Sequence, residues 1–246
     1  MNQRIFSLGS STLMLLCSLM LFAACTVYNP TASELPLLRE KGEWRADGGM
    51  ILSDNFEPAL TLGASYAPWN HVAFQVSAAT NMADKATEHQ NFGLFAVGTF
   101  LPYAQRSVLE LYAGIIHGYG AAHSNLYVSK PDEGWLRATY NLPYLQANWG
   151  IVGLGAFDLG IGLRTGRLFN SAEEYCYFAG HKSDDGLRQY EERLWIIEPT
   201  AMMRVGGEHV KFSLRLGYSH INGTLGSDRH FPYASFSLAA GVSLHF

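Results

Sequence analysis

A histidine and a carboxylate lie close together in the last polar segment of the chain, as Asp228-Arg229-His230. A histidine that is oriented by a carboxylate can take a proton from water, so this pair makes hydrolysis one candidate chemistry. In another polar segment, Asp84 stands alone as an aspartate. The sequence therefore leaves a loop hydrolase open and assigns no catalytic residue.

A second polar segment contains residue types that bind metals, namely Cys176, His181, Asp184 and Asp185. Their spacing does not match that of a zinc site, so we interpret the segment as a solvated loop. The glycines of the chain follow strand and turn positions and form neither a phosphate-binding loop nor a serine elbow. We therefore expect no metal and no other cofactor.

Nine charged residues lie in the polar phase of segments in which apolar and polar residues alternate. They are Arg45, Asp47, Glu110, Asp158, Arg164, Glu198, Arg204, Lys211 and Arg215. Alternation with a period of two is typical of β-strands that turn one face to an apolar medium and the other to a polar interior. The signs nearly balance, so we expect these charges to fill the interior with salt bridges and hydrogen bonds. A narrow ion-conducting lumen is the alternative.

The segments that must position these charges begin at Gly42, and each is about ten residues long, the length that a tilted strand needs to cross a bilayer. Charged residues make up only 15% of the chain, and the mean hydropathy is +0.01. We therefore predict an all-β, up-and-down antiparallel transmembrane β-barrel of about ten strands, with eight as the alternative. The predicted strands are 43–52, 59–66, 72–79, 92–101, 108–120, 140–151, 157–167, 193–205, 210–220 and 233–246.

The order of the connections predicts the orientation of this barrel. Connections after even-numbered strands are short, and those after the third and later odd-numbered strands are long, including predicted loops at 121–139 and 168–192. Outer-membrane barrels have short periplasmic turns and long extracellular loops, so both ends of the chain are expected in the periplasm. Two details limit the prediction: residues 92–101 are apolar in both phases, and Pro199 removes a ladder donor and should cause a bulge.

The N-terminus carries signals for export. Arg4 is followed by an apolar run over residues 13–22 and then by small residues, which predicts a secretory signal peptide over residues 1–24. Phe22-Ala23-Ala24-Cys25 resembles the lipobox of bacterial lipoproteins, which implies that Cys25 is diacylated and becomes the first residue of the mature protein. A plain signal peptide that is cut near the same place is the alternative.

The residues that follow Cys25 show little periodicity. Residues 25–41 contain Pro30 and Pro36, and we expect them to form a lipid-anchored periplasmic tether. The barrel then occupies residues 42–246. The predicted location is therefore the outer membrane, with the lipid anchor at a periplasmic N-terminus.

The last predicted strand ends on an aromatic residue. Gly241, Leu244 and Phe246 resemble the C-terminal signal that the barrel assembly machinery of Gram-negative bacteria recognises, although Ala239 stands where that signal has a polar residue. The resemblance implies that this strand closes an outer-membrane barrel.

Aromatic residues cluster near both ends of the predicted strands, as interfacial girdles require. The periplasmic set is Tyr66, Trp69, Phe100, Tyr103, Trp149, Phe157 and Phe246, and the opposite set is Phe92, Tyr119, Tyr140, Phe169, Tyr218 and Tyr233.

Asn29-Pro30 and Pro36-Leu37-Leu38, followed by Glu40-Lys41-Gly42-Glu43, the strands and a C-terminal Phe, resemble a group of uncharacterised small lipidated outer-membrane β-barrel proteins of Gram-negative bacteria. The resemblance implies a fold and a location but no catalytic residue. We therefore expect a barrel lipoprotein with a filled lumen, acting as a structural or accessory component of an envelope complex.

A surface hydrolase is the alternative from another functional class. Asp228 and His230 loosely resemble the Asp-x-His pair of omptin proteases, and His181-Lys182-Ser183 resembles the His-x-Ser of lipid A deacylases. The expected partners are outer-membrane lipids, the barrel assembly machinery and other envelope proteins. A net charge of −4 without a basic patch argues against nucleic acid.

Overall fold

The computed structural model describes residue 28 and residues 33–53, 58–81, 90–123, 135–176, 186–222, 224–225, 229–230 and 233–246. These residues form a closed antiparallel β-barrel in which neighbours along the chain are also neighbours in the sheet. The strands are β1 (Trp44–Ser53), β2 (Pro58–Trp69), β3 (Val72–Asn81), β4 (Gln90–Pro102), β5 (Ser107–His123), β6 (Trp135–Leu154), β7 (Phe157–Cys176), β8 (Gly186–Gly206), β9 (Val210–Tyr218), β10 (His220–Asn222), β11 (Thr224–Leu225), β12 (Arg229–His230) and β13 (Phe236–His245).

The wall of the barrel has ten strand positions. β1 to β8 occupy eight of them, β9 and β10 share the ninth because both pair with β8, and β13 closes the barrel between β9 and β1. β11 and β12 form a separate two-stranded sheet. The predicted up-and-down antiparallel fold and its count of ten strands are confirmed. Over the described residues, no helix is long and apolar enough to cross a membrane.

Pro199 does not cause the expected bulge. It pairs with Leu163 of β7 in an unbroken register. On the other side of β8, the ladder is interrupted at Ser219, between β9 and β10, and it resumes in the same register. The missing N–H of a proline explains an interrupted ladder without a shift. On the side of β13, the ladder continues at Ser219, whose N–H donates to the carbonyl oxygen of Ser235 at 2.7 Å.

Strands extend into both of the longest predicted loops. β5 to β8 contain 17, 20, 20 and 21 residues. Residues 121–123 and 135–139 of the first predicted loop and residues 168–176 and 186–192 of the second therefore lie in strands. The inward phase stays apolar there, with Leu136 and Ala138 buried, while Arg137 and Thr139 of the outward phase are exposed. A strand that extends beyond the membrane needs no apolar outer face. The alternation of apolar and polar residues that predicts a strand is therefore missing from these extensions.

The predicted strand faces are confirmed for most of the barrel. In β1, Arg45 and Asp47 point inward and are buried, whereas Trp44 and Met50 are exposed on the outside. The structure also assigns the fourth strand, which was apolar in both phases. Its inward residues are Leu94, Ala96 and Phe100, and its outward residues include Phe95 and Val97. Ala234 lies in the phase of the last predicted strand, 233–246, that the alternation assigns to the outer face, but it is buried.

Two residues of the predicted aromatic girdles point the other way. Phe100 and Tyr140 are 1% and 3% exposed and belong to the hydrophobic core inside the barrel. Phe92 and Tyr233 are partly buried against that core. The other nine are exposed on the outer surface, namely Tyr66, Trp69, Tyr103, Tyr119, Trp149, Phe157, Phe169, Tyr218 and Phe246.

Candidate functional site in the barrel lumen

The N-terminal segment that precedes β1 lies inside the barrel. Leu35, Leu37 and Leu38 have no exposed surface, and Ser33 and Glu34 are also buried. We call Tyr28 together with residues 33–39 the inner segment. The sequence predicted this stretch as part of a tether between the membrane anchor and the barrel.

Glycines on the barrel wall make room for the leucines of the inner segment. A side chain at Gly150 would overlap Leu37, one at Gly160 would press on Leu37, and one at Gly162 would press on Leu35. These glycines point inward on β6 and β7, in the phase that elsewhere carries bulky residues. The wall therefore has a depression that the two leucines fill, with close packing of the kind found in protein cores.

The wall binds carbonyl oxygens of the inner segment with two long polar side chains. Arg204 donates Nη2 to the oxygen of Leu35 at 2.8 Å and Nη1 to the oxygen of Pro36 at 3.4 Å. Gln146 donates Nε2 to the oxygen of Glu34 at 2.9 Å. A buried carbonyl group without a hydrogen-bond donor destabilises the folded protein, because it has lost its hydrogen bonds to water. Both side chains therefore stabilise the inner segment inside the lumen.

The wall also accepts hydrogen bonds from the N–H groups of the inner segment. Leu38 donates to Oε1 of Glu110 at 2.8 Å, and Ser33 donates to Oγ1 of Thr200 at 3.1 Å. The lumen therefore binds both donors and acceptors of the main chain of this segment.

Tyr28 holds the far end of the inner segment. Its hydroxyl group donates to Oε1 of Glu198 at 2.9 Å, and its ring packs edge-to-face on Tyr140 with centroids 5.2 Å apart. Its carbonyl oxygen accepts the N–H of Ala234 at 3.0 Å, and it forms a parallel bridge with Tyr233.

All nine charged residues that the sequence placed in the lumen are buried there. Asp158 bridges Lys211 at 2.6 Å and Arg45 at 3.7 Å. It also accepts the N–H of Gly153 at 2.9 Å. This cluster lies close to the turn between β6 and β7.

Most of the other lumen charges form separate pairs along the barrel. Arg164 contacts Glu198 at 3.2 Å, and Arg204 contacts Asp47 at 3.5 Å. The partner of Arg215 is Glu34 of the inner segment, at 3.8 Å. Glu110 forms no such pair; it accepts hydrogen bonds from the N–H of Leu38 at 2.8 Å and from Nδ2 of Asn148 at 2.9 Å. The interior is thus packed with ion pairs and hydrogen-bonded charges.

Glu43 joins the inner segment to the barrel at the end where the short turns lie. One carboxylate oxygen is 2.7 Å from Nε2 of His245 and 3.5 Å from Arg45, and the other accepts the N–H of Arg39 at 2.5 Å. Burial by itself would raise the pKa of Glu43. The contacts with His245, Arg39 and Arg45 outweigh it and hold the pKa below the ordinary value of 4.5.

The residues of the predicted assembly signal lie at the seam between β1 and β13. Gly241 pairs with Gly49, and the two strands approach so closely that a side chain at either glycine would overlap the opposite backbone. Phe246 stacks on Trp44 with centroids 4.6 Å apart, and the two residues exchange backbone hydrogen bonds. Leu244 is exposed on the outer face.

Several sequence predictions fall on residues outside the described part of the chain. These are Cys25, Asp84, His181, Asp184, Asp185 and Asp228. Cys176, Arg229 and His230 are described only as backbone in β7 and β12. Within the described residues, no group of three or more His, Cys, Asp or Glu side chains could hold a metal ion.

Sequence reasoning missed the inner segment, although it placed three of the residues that bind it, Glu110, Glu198 and Arg204, in the lumen. Glu34 and Tyr28 stand in a stretch without periodicity, and Gln146 carries no charge that would single it out within its strand. One usable signal was the run Pro36-Leu37-Leu38, since a solvated tether has no reason to carry consecutive leucines.

No protein-family model matches the chain, and no curated protein matches it either. Among solved structures, the outer membrane protease OmpT from Escherichia coli is similar with a TM-score of 0.61, covering 88% of this chain and 100% of that one at 10% identity. The CymD monoaromatic hydrocarbon channel has a TM-score of 0.34, covering 85% of this chain and 67% of that one at 11% identity. At such low identity the likeness to OmpT shows the fold, a ten-stranded barrel of the outer-membrane type.

Proposed function

We propose that the protein is an outer-membrane β-barrel lipoprotein whose lumen is closed by its own inner segment, and that it serves as a structural or accessory component of an envelope complex. The observation that carries this proposal is the occupation of the lumen. Arg204, Gln146 and Glu110, the polar groups that a pore would offer to ions, bind the backbone of the inner segment instead.

The outer surface supports a membrane location. Apolar side chains alternate outward along the strands, including Leu62, Leu145 and Ile161, which are 71%, 64% and 56% exposed. Soluble monomers rarely expose apolar patches larger than a few hundred Å². A hydrocarbon environment accommodates such a surface without cost, and a closed barrel leaves no unpaired edge in it.

The ionic interior argues against the narrow pore. The lumen charges are paired with one another or with the inner segment, as for Arg164 with Glu198 and Arg215 with Glu34. Charges in such pairs have given up their water for their partners, and breaking a pair leaves a buried unpaired charge. A lumen of this type fixes the barrel rather than passing ions.

The test is to reconstitute the full-length protein into planar lipid bilayers and to extract it from outer membranes in mild detergent. We expect no steady ionic current, a folded barrel that migrates faster on unheated than on heated gels, and a native particle larger than the isolated chain. A steady current from the wild-type protein would show that it is a pore and would refute the structural role. Hydrolysis of peptides or lipids by the wild type that is lost in an assembled His230→Ala variant would show that the protein is an enzyme.

A further inference from the structure

The inner segment runs through the lumen in one direction. Arg39 lies at the short-turn end, where its guanidinium group donates to the carbonyl oxygen of Gln105 in the turn between β4 and β5. Tyr28, eleven residues earlier in the chain, lies beside Tyr233, which precedes β13 at the long-loop end.

The distance that this segment covers is comparable to the thickness of a membrane. Thirteen residues separate Tyr233 from Phe246, and Phe246 pairs with Trp44 at the short-turn rim. At about 3.3 Å per residue in a strand tilted by about 40°, thirteen residues rise roughly 33 Å. The apolar band of an outer-membrane barrel is about 25 Å tall. Tyr28 therefore lies near the opposite face from the start of β1.

The contacts between the two ends follow the same path. Leu38 is bound by Glu110, Glu34 by Gln146 and then Tyr28 by Glu198. Glu198 lies eight residues before the end of β8 at Gly206, and at the same rise this places it roughly 20 Å above the short-turn end. The inner segment is thus held along the lumen and not only at its mouth.

We propose that the inner segment threads the barrel from the short-turn end to the long-loop end and delivers Cys25 to the cell-surface side of the outer membrane, where its acyl chains enter the surface leaflet. The location of the lipid rests on the proposed function, which supplies the orientation of the barrel and the acylation of Cys25. The threading itself rests on the contacts of Tyr28 and residues 33–39. Turn lengths alone predicted the opposite side for the N-terminus.

Covalent geometry connects the described residues to Cys25. Consecutive Cα atoms are 3.8 Å apart, so three residues allow at most about 11 Å between Cys25 and Tyr28. The short-turn rim is about three times as far away, and the lumen in between is filled by the same chain. A diacylated cysteine can therefore reach lipid only by way of the long-loop end.

The test compares three positions of one short epitope in the full-length protein. It is inserted after Thr26, after Thr87 in the long connection between β3 and β4, or after Ala104 in the short turn between β4 and β5. Antibody binding is measured on intact and on permeabilised cells, and only variants with a heat-modifiable folded barrel are compared. We expect the Thr26 and Thr87 insertions to bind antibody on intact cells and the Ala104 insertion only after permeabilisation.

A Thr26 insertion that behaves like the Ala104 insertion would overturn the threading. Fatty-acid labelling of the same protein, with Cys25→Ser as control, separates this failure from that of the proposed function. If the N-terminus is exposed at the surface but carries no fatty-acid label, the threading is supported. The surface lipid anchor and the lipoprotein part of the proposed function are then refuted.

A disulfide supplies a readout that does not depend on tags. In a Cys176→Ser background, Tyr28→Cys with Tyr233→Cys should cross-link, because the two residues form a bridge. The matched pair Tyr28→Cys with Ala104→Cys should not cross-link. The reverse result would place Tyr28 at the short-turn end and refute the proposal.

Discussion

Gly63 provides a test of how the inner segment sits against the barrel. It lies on β2 between Asp47 of β1 and Ser77 of β3, in the inward phase. A methyl group at this position would overlap the carboxylate of Glu34. Because that carboxylate lies 3.8 Å from Arg215, Gly63→Ala should displace Glu34 and weaken its ion pair.

Overpacking of a filled interior typically costs 1 to 3 kcal/mol. We therefore expect Gly63→Ala to lower the free energy of unfolding by about 1 to 3 kcal/mol. The assay is urea unfolding in detergent micelles, followed by conversion of the fast-migrating folded band to the slow-migrating unfolded band. Gly93→Ala is the control, because Gly93 is exposed on β4 and a methyl group there meets nothing within 4 Å. Its effect should stay within about 0.5 kcal/mol.

A double-mutant cycle identifies the contact responsible. Glu34→Ala removes the atoms that the new methyl group would strike, so Gly63→Ala should cost little in that background. An equal cost in both backgrounds would refute the contact between Glu34 and β2. So would equal stability of the Gly63→Ala and Gly93→Ala proteins.

Three further predictions follow from the lumen, the rim and the seam. Arg215→Ala should lower the free energy of unfolding by roughly 3 to 5 kcal/mol in the same assay, because it leaves the buried Glu34 without its ion-pair partner. Glu43→Ala should destabilise the barrel at neutral pH, and its difference from the wild type should shrink as the pH falls below 4.5. The pKa of Glu43 is lowered in the folded protein, so its contribution is present above its ordinary pKa and is lost on acidification. Deletion of Phe246 should reduce the folded fraction in outer membranes, because it removes the stack on Trp44 and the hydrogen bonds that close the seam.

Each of these predictions has its own contrary outcome. Arg106→Ala changes an exposed arginine of a short turn, and an equal loss there would show that the effect of Arg215→Ala is not one of burial. A stability difference for Glu43→Ala that is constant from neutral to acidic pH would contradict the role of its charge. Normal amounts of heat-modifiable barrel after deletion of Phe246 would show that assembly does not require this residue.

The sequence by itself determined the barrel. Period-two alternation in segments such as 157–167 assigned one face to lipid and the other to the interior, because a strand turns successive side chains to opposite sides. The same rule placed Arg164, Glu198 and Arg204 in the lumen before any pairing was known. Short turns after even-numbered strands then fixed an up-and-down order.

Only the tertiary structure decided what fills the barrel. Leu35 and Leu37 belong to a stretch without periodicity, and their burial depends on glycines more than a hundred residues away in the sequence, such as Gly150 and Gly160. The hydrogen bonds of Arg204 go to the backbone of the inner segment, which has no residue-specific signature. Strand faces are a local property that each segment carries in its own pattern. The fit of a peptide into a lumen depends on the shape that ten strands create together, which no single segment records.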